Sequence, residues 1–264
     1  PQNWLFLSTY SKLRINLLNN SVWNMIARLG PKGFHTPMWD FNIQLLIISK
    51  FHKKNHYIEG LDVSKLNNPM EKEQKLITGK ITKISQRSQI DNPDARISFD
   101  NIQGILLEKF GFAYMGQRTG DGLRFIQNFW EQNEKGKEWV YFGSTVEKTS
   151  LYSGNSQILL WENGEGQLAE YQRILAEKQY ASGGWKQGWQ AWDKIGVRIS
   201  QMNNLPVTIH CGPHYDNNTA TFIPYNPDHL TAIWCFCSSS EYHDAVRQID
   251  QSLKVTNATL VKVP

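Results

Sequence analysis

Apolar positions follow two different spacings along this chain, and together they predict a mixture of helices and strands. Residues 11–20 place Leu13, Leu17 and Leu18 on one side, which predicts a helix. Residues 22–29 alternate between apolar and polar side chains, which predicts a strand. Residues 41–48 are almost continuously apolar and predict a strand that is buried on both faces.

The second half of the chain continues in the same mixed pattern. Ser98 is a candidate N-cap for a helix over 99–110, and a capping box at 238–241 favours a helix over 241–254. A further helix is predicted over 167–178. Short apolar runs predict strands at 1–7, 139–142, 158–161, 197–200, 208–210, 221–224 and 232–236. The predicted fold class is therefore α/β, in the mixed α+β sense.

The composition supports a folded protein and leaves the partner open. The chain has 264 residues, of which 40% are hydrophobic and 12% aromatic, so disorder is not expected. This length accommodates one large domain, or one domain with part of another. The net charge of +4 is mildly basic, which permits nucleic-acid binding without requiring it.

Several functional classes are disfavoured by simple counts. The longest apolar run, residues 45–48, is far shorter than a membrane span, and no secretory signal is recognisable, so no membrane partner is expected. The chain has three cysteines, an odd number that fits the reducing cytoplasm. Cys235 and Cys237 have the wrong spacing for a zinc knuckle, and Cys211 with His210 and His214 is a weak alternative to buried thiols. We therefore expect no bound metal.

A glycine-rich segment at 115–125 is the strongest candidate for ligand binding. Its glycines allow unusual backbone angles and close approach of another chain. Its polar side chains can donate to a phosphate or a base edge. The residues concerned are Gly116, Gly120, Gly122, Arg118, Thr119 and Arg124. The aromatic residues that follow predict a helix opened by this loop. A plain connection between two elements is the alternative interpretation.

Three indoles and a lysine form a second candidate after Gly183 and Gly184. Trp185, Trp189 and Trp192 would share one face of a helix, the ordinary geometry of a core stripe. The alternative is a protruding loop, with Lys186, whose aromatic rings stack on or wedge between bases.

The remaining candidates are isolated polar residues. Arg198 and His210 are candidates for reading base edges, although a role in the core or on the surface explains them equally well. In the last segment, Lys254, Thr256, Asn257 and Lys262 could bond phosphates or bases, and exposure on an edge strand is the alternative.

Residues 50–90 carry a local excess of positive charge. This stretch contains nine lysines and arginines and only four acidic residues. Phosphate tracking is one interpretation, and a solvated linker with exposed lysines is the other. The basic residues are Lys50, Lys53, Lys54, Lys65, Lys72, Lys75, Lys80, Lys83 and Arg87.

The glycine-rich segment resembles the G-x-x-T-G-D-N-x-R-F motif of the large adenine-specific DNA methyltransferases found in BREX-type phage defence and Type IIG restriction-modification systems. The aromatic-aromatic-Glu that follows the motif there matches residues 129–131. Residues 152–155 and 160–163 are similar to further pieces of the same enzymes. Gly122 stands where that family usually has Asn, so a contact by that side chain would be missing.

The first 50 residues resemble the closing part of the catalytic domain in TaqI-like N6-adenine methyltransferases. The matching positions are Pro1, Trp4, Leu5, Leu13, Arg14, Leu17, Leu18, Leu29, Gly30, Phe34 and 43–48. The F-x-G-x-G loop for S-adenosylmethionine and the catalytic N-P-P-Y are absent from the sequence. Residues 226–229 lack the second proline and the stacking aromatic of that tetrapeptide. Residues 252–264 resemble the end of the recognition region in DISARM and Type IIG enzymes.

The resemblance implies a piece of a cytoplasmic DNA (adenine-N6) methyltransferase. It assigns 1–50 to the edge of a Rossmann-like catalytic sheet, 51–95 to a basic linker or insertion, and 96–264 to a DNA target-recognition domain. Double-stranded DNA, the upstream catalytic domain and other restriction or defence subunits are the implied partners. The parent would use S-adenosylmethionine on a flipped adenine, whereas this piece would bind no cofactor and hold no catalytic residue. The candidate DNA contacts are Arg118, Thr119, Gly120, Arg124, Trp185, Lys186, Trp189, Arg198, His210, Lys254 and Asn257.

Two other functions remain open from the sequence. A restriction endonuclease needs a Pro-Asp followed by an acidic-x-Lys element. Pro93 and Asp94 are present, but no such element follows on a predicted strand. A protein-interaction module with the same aromatic-rich α/β composition is the other alternative.

Overall fold

A computed structural model describes residues 1–35, 41–51, 55–100, 102 and 104–264. Two compact units account for the chain. Unit 1 comprises Pro1–Ile105, Ala245–Leu253 and Pro264, and unit 2 comprises Leu106–Asp244 and Lys254–Val263. Sheets and helices occur together in both units, which confirms the mixed α/β class. The functional division at residues 50 and 95 stays a prediction.

Unit 1 is built on a four-stranded sheet. Its elements are α1 (Ser11–Asn20), β1 (Val22–Gly30), β2 (Ile43–Ser49), β3 (Tyr57–Asp62), α2 (Pro69–Thr78), β4 (Thr82–Ser85) and α3 (Ser88–Asp91). The strand order is β2-β1-β3-β4, in which β1 and β3 are parallel and the other neighbours are antiparallel. The predicted helix at 11–20 and the predicted strand at 22–29 are confirmed.

Two predictions for unit 1 are wrong. Residues 1–7 form short 3-10 turns instead of a strand, and the carbonyl groups of Trp4 and Leu7 accept hydrogen bonds from the buried Arg14 guanidinium. Burial lowers the pKa of Arg14 to about 10. Strand β2 is not buried on both faces, since Leu45 is 50% and Ile47 57% exposed. Leu45 and Ile47 are two residues apart and therefore share one face of β2, and that face is exposed.

The predicted linker at 51–95 contributes regular structure to unit 1. It supplies β3, α2, β4 and α3. Helix α2 packs Leu76 against a cluster of Ala27, Leu29, Leu61 and Val63 on the sheet.

Unit 2 contains two more four-stranded sheets among its described residues. Its elements are β5 (Gly111–Met115), α4 (Gly122–Phe125), β6 (Ile126–Asn128), β7 (Trp139–Gly143), β8 (Gln157–Leu160), α5 (Gln167–Glu177), β9 (Ile195–Ser200), β10 (Val207–Cys211), β11 (His214–Tyr215), β12 (Thr219–Pro224), α6 (Leu230–Cys237), α7 (Ser240–Ile249) and α8 (Asn257–Leu260). The boundary between the units falls within α7, after Asp244. One sheet has the order β10-β9-β12-β5 and is antiparallel. The other has the order β11-β7-β8-β6, with β11 and β7 parallel.

Tertiary pairing overrides the predicted helix at 99–110. Asn101 and Gln103 lie outside the described residues. The rest forms only a 3-10 turn at Leu107–Lys109 before β5 begins. The backbone N–H of Leu107 donates to the carbonyl of Val263 at 2.8 Å, and that of Glu108 donates to Val261 at 2.9 Å. These long-range hydrogen bonds replace the ones that a helix would form.

The predicted strand at 232–236 is the helix α6. The Asn226 side chain accepts from the backbone N–H of Asp228 at 3.0 Å, so a helical turn begins just before the apolar run. Ile233 and Cys237, four residues apart, then share the buried face. A short apolar run fits a strand and a buried helix equally well, and here the preceding cap favours the helix.

The predicted helix at 241–254 is shorter than expected. Its cap is Ser239 rather than Ser238, since the Ser239 hydroxyl accepts from the Tyr242 N–H at 3.2 Å. Helix α7 ends at Ile249, and Asp250 then accepts from the Ser252 N–H at 2.9 Å in a turn. Leu253 is consequently exposed instead of completing the inward face.

Candidate nucleic-acid interface

The glycine-rich segment is fixed to unit 2 by its own backbone. The N–H of Gly116 donates to Thr219 O at 3.2 Å, and the N–H of Gln117 donates to Tyr215 O at 2.7 Å. A Cβ on Gly116 would collide with the carbonyl oxygens of Tyr215 and Asp216. Position 116 therefore requires glycine, because two backbone segments of the same chain approach each other closely there.

The segment turns outward at Gly120, whose φ is +80°. Asp121 then caps the single-turn helix α4 by accepting from the Arg124 N–H at 3.2 Å. The predicted aromatic helix is wrong, because α4 ends at Phe125 and strand β6 follows. Thr119 is buried, and its carbonyl accepts from the Gln172 side chain at 2.6 Å. Thr119 thus supports the turn through its backbone carbonyl, and its side chain is not exposed to a ligand.

The tryptophan-containing segment lies directly against the glycine-rich one. The Arg118 N–H donates to Gly184 O at 2.9 Å, and the Gln117 side-chain amide donates to Trp185 O. Gly188 has a φ of +78°, and a Cβ there would lie 2.6 Å from the Tyr215 hydroxyl. We call residues 116–124 and 183–192 the paired loops.

The indoles do not form a helical stripe. Two 3-10 turns, Gly184–Lys186 and Trp189–Ala191, replace the predicted helix. Trp185 and Trp192 pack on Trp161, with ring centroids 5.4 and 5.2 Å away, whereas Trp189 is 62% exposed. The two interpretations of the sequence therefore apply to different residues, and base stacking stays a prediction for Trp189.

His214 links this aromatic cluster to the glycine-rich segment. Its ring stacks on Trp192 at a centroid distance of 3.7 Å, and Nδ1 lies 2.9 Å from Gln117 Oε1. Burial lowers the pKa of His214 to about 4, so the ring is neutral at pH 7. Gln117 thus bridges both loops and His214, a role that nothing in the spacing of the sequence indicated.

Three cationic side chains project from the paired loops. Arg118, Arg124 and Lys186 are exposed, and no carboxylate of the described residues lies within ion-pair distance of any of them. The Lys186 ammonium lies 4.4 Å from the centre of the Trp185 ring, and the Arg124 guanidinium 4.9 Å from that of Phe125. The paired loops therefore present positive charge and an exposed indole together.

Arg198 is placed differently from what its candidate role requires. Its side chain is 1% exposed, and one guanidinium nitrogen donates to Ser153 O, Gly154 O and Asn155 Oδ1 at 2.8 to 3.1 Å. Burial lowers its pKa to about 10. In this position Arg198 holds residues 153–155 against β9 and cannot reach a base edge.

His210 is also fully buried. Its Nε2 lies 3.0 Å from Ala191 O, and burial lowers its pKa to about 4. Asn257 is half-buried and donates to Ala113 O at 2.9 Å, which ties α8 to β5. Both side chains support the framework of unit 2 in this arrangement.

Lys254 and the basic stretch of unit 1 complete the candidates. The Lys254 ammonium is partly exposed and donates to Asn217 O at 2.6 Å. In the basic stretch, Lys72 is buried and donates to the carbonyls of Leu29 and Pro31, so it cannot track phosphates. Lys53 and Lys54 lie outside the described residues, and Lys83 pairs with Glu59 at 3.5 Å.

Sequence reasoning assigned no role to Leu123 of α4, although it is 99% exposed beside Arg124. No signal in the sequence marks this exposure. Within the described residues, no three His, Cys, Asp or Glu side chains approach closely enough to hold a metal ion. No helix in the described parts of the chain is long and apolar enough to cross a membrane.

Comparison with known proteins gives a fold relationship. No family model matches the chain, and no curated protein does. The chain is similar to the Type IIL restriction-modification enzyme MmeI, solved in complex with DNA, with 15% identity and a TM-score of 0.51 over 96% of this chain and 36% of that one. At this identity the likeness shows a shared fold alone.

A second solved structure is a nuclease-deletion mutant of the Type ISP restriction-modification enzyme LlaGI, in complex with a DNA substrate mimic. It is 11% identical, with a TM-score of 0.47 over 98% of this chain and 33% of that one, and this similarity is too low to carry an argument. The chain spans about a third of the length of either enzyme.

Proposed function

We propose that this chain is the DNA-recognition part of a site-specific DNA (adenine-N6) methyltransferase of a restriction-modification or phage-defence system. The observation that carries the proposal is the pair of loops in unit 2. Hydrogen bonds from Gln117 and Arg118 hold them together, and they present Arg118, Arg124, Lys186 and Trp189 to solvent. Cations and an exposed aromatic ring on a rigid support suit binding to a phosphate backbone and its bases.

Two further observations support this function. The chain shares its fold with part of MmeI, a restriction-modification enzyme whose structure was solved in complex with DNA. The paired loops also contain the glycine-rich segment that resembles the motif of adenine-specific methyltransferases. The two observations are independent, because one rests on the backbone and the other on residue types.

Methyl transfer is proposed for the parent protein rather than for this chain. The sequence has neither the glycine-rich cofactor loop nor the N-P-P-Y tetrapeptide, so its residues do not fit S-adenosylmethionine. We assign the chain no catalytic residue and derive no step through the cofactor. Its proposed partners are duplex DNA, a catalytic domain of the same parent, and other subunits of the system in the cytoplasm.

Binding of fluorescent duplexes to the full chain, followed by anisotropy at several salt concentrations, tests the proposal. About four phosphate contacts would give a log–log salt slope near −3.6. A triple variant of Arg118, Arg124 and Lys186 to Ala should bind at least about tenfold more weakly at low salt. The matched control changes the exposed Lys109, Lys137 and Lys148 of the same unit to Ala, with the same loss of charge.

The control variant should stay within about twofold of the wild-type affinity. Failure of the wild-type chain to bind any duplex at low salt would overturn the proposal in favour of a protein-interaction module. Equal losses in the two triple variants would show that the paired loops are not the interface. Calorimetric titration with S-adenosylmethionine should give no heat of binding. A micromolar Kd would show that this chain itself binds the cofactor, which would contradict the proposal that another part of the parent protein binds it.

A further inference from the structure

Arg118 lies beside a turn that is distant from it in sequence. Gln117 forms an isolated parallel bridge with Asp216, and the Gln117 N–H donates to Tyr215 O at 2.7 Å. The turn at 216–218 therefore runs next to Arg118. Asn218 stabilises this turn by donating its backbone N–H to the Asp216 carboxylate at 3.0 Å.

The ammonium of Lys254 lies on the same turn. It donates to Asn217 O at 2.6 Å and to Asn218 Oδ1 at 3.3 Å. Backbone pairing fixes its position, because Lys254 bridges Met202 and the next residue, Val255, donates to Gln201 O at 2.8 Å. An ammonium has three N–H donors. Two of them are used here, and the side chain is only partly buried, so one donor remains for an external acceptor.

The positive charges at this place form no direct ion pair among the described residues of unit 2. The charge of the Asp216 carboxylate acts on Lys254, yet no ion pair within 4 Å joins Asp216 to Lys254 or Arg118 among the described residues. Burial lowers the pKa of Lys254, the charge of Asp216 opposes this, and the charge of Arg118 lowers it again. Two cations and one carboxylate thus act on each other at this turn, and an anion bound between Arg118 and Lys254 would balance the remaining positive charge.

We propose that Arg118 and Lys254 together hold one backbone phosphate of the bound duplex, so that Arg118 positions the DNA and does not read a guanine. This inference rests on the proposed function. A full negative charge is the ligand that two adjacent cations favour most. To read a guanine, the guanidinium group of Arg118 would instead have to donate to both O6 and N7 of the base, away from the charge of Lys254.

The decisive experiment compares affinity, salt slope and sequence preference in the full chain. The variants are Arg118→Ala, Arg118→Lys, Lys254→Ala, Lys254→Arg and the double Ala variant, with Lys109→Ala as the control at the opposite end of β5. Sequence preference is measured by selecting bound duplexes from a random pool and sequencing them. Melting of each variant verifies that the turn at 216–218 stays folded, and the charge-preserving variants separate loss of charge from loss of structure.

Each single Ala variant should weaken binding to all duplexes about fivefold and leave the selected sequences unchanged. The double variant should weaken binding by less than the product of the single losses. The magnitude of its log–log salt slope should decrease by about 0.9 in total, since one phosphate contact is lost. Arg118→Lys and Lys254→Arg should retain most of the affinity, because a phosphate accepts either cation.

Three outcomes would overturn the shared phosphate. A changed sequence preference in Arg118→Ala, or loss of preference in Arg118→Lys, would make Arg118 a base reader. A slope change of about 1.8 with independent losses would indicate two separate phosphates. If neither Arg118→Ala nor Lys254→Ala changes the affinity, these two residues do not form a phosphate site, although the chain still binds DNA. Only a wild-type chain that binds no DNA would defeat the proposed function as well.

Discussion

Two arginines of unit 2 differ in burial, although the sequence analysis predicted both as candidate DNA contacts. Arg118 is exposed on the paired loops, with its backbone hydrogen-bonded to Gly184. Arg198 lies on β9 and is buried, with its guanidinium bonded to residues 153–155. The comparison shows that an arginine is exposed and available to a ligand, or buried as an internal brace, according to where its backbone is held.

The reason for the difference is local. Arg198 is on a strand that pairs on both sides, and its side chain enters the space that Gly143 of β7 leaves open, where a Cβ would overlap the guanidinium. Arg118 follows the last bridged residue of its segment, and its side chain lies beside Gly184 and is exposed. Removing the Arg198 side chain should therefore lower the free energy of unfolding much more than removing the Arg118 side chain.

Among the substitutions, Arg198→Ala should have the largest effect on stability. The substitution leaves the carbonyls of Ser153 and Gly154 without their charged donor and opens a cavity, which should lower the free energy of unfolding by about 3 kcal/mol. Urea denaturation measures the change. Arg173→Ala, on the exposed face of α5, is the control and should leave the urea denaturation midpoint close to that of the wild-type chain. A loss below about 1 kcal/mol for Arg198→Ala would show that the buried region tolerates its removal.

Acidification should weaken unit 2 through its buried histidines. The pKa of both His210 and His214 is lowered from 6.5 to about 4, so the unfolded chain binds more protons between these values. Their contribution to stability is complete above pH 6.5 and is lost as the pH falls through 4. Between pH 7 and 5 the free energy of unfolding should fall by about 2 kcal/mol for each histidine.

His210→Gln offers the comparison for this prediction. Denaturation at several pH values should show a shallower fall between pH 7 and 5 in the variant than in the wild-type chain, because one of the two titrating groups is gone. The same slope in both chains would mean that His210 is accessible to protons in the folded state.

The glycines of the tryptophan-containing loop should respond unequally to a methyl group. Gly183 and Gly188 both have positive φ angles, of +84° and +78°. A Cβ at 183 meets nothing within 4 Å, whereas one at 188 would lie 2.6 Å from the Tyr215 hydroxyl and 2.7 Å from Met115 O. Gly183→Ala should cost about 1 kcal/mol from backbone strain alone, and Gly188→Ala about 2 kcal/mol. Equal melting temperatures would contradict this packing of the paired loops.

Arg118→Ala should have the smallest effect on folding. Its side chain is exposed and takes part in no ion pair with described residues, so the free energy of unfolding should change by less than about 0.5 kcal/mol. Thermal melting measures this beside Arg198→Ala. A loss above about 1 kcal/mol would place Arg118 among the residues that brace the fold, and the contrast with Arg198 would disappear.

Local sequence patterns were sufficient for much of the secondary structure. The helices at 11–20 and 167–178 and the strands at 22–29 and 139–142 agree with α1, α5, β1 and β7. In these segments the spacing of apolar residues reports burial directly. The same spacing is ambiguous for short apolar runs, which is why 232–236 was wrongly predicted as a strand.

The candidate interface was predictable only as separate pieces. The residue types alone identified the glycine-rich segment with Arg118 and Arg124, and the loop with Lys186 and Trp189. Only the tertiary structure joined these loops through Gln117, brought Lys254 to the turn at 216–218 next to the glycine-rich segment, and buried Arg198 and His210. Periodicity reflects neighbours a few residues away, whereas these contacts connect residues separated by tens of positions along the chain. Which polar side chain meets a ligand therefore depends on backbone pairing that no local pattern encodes.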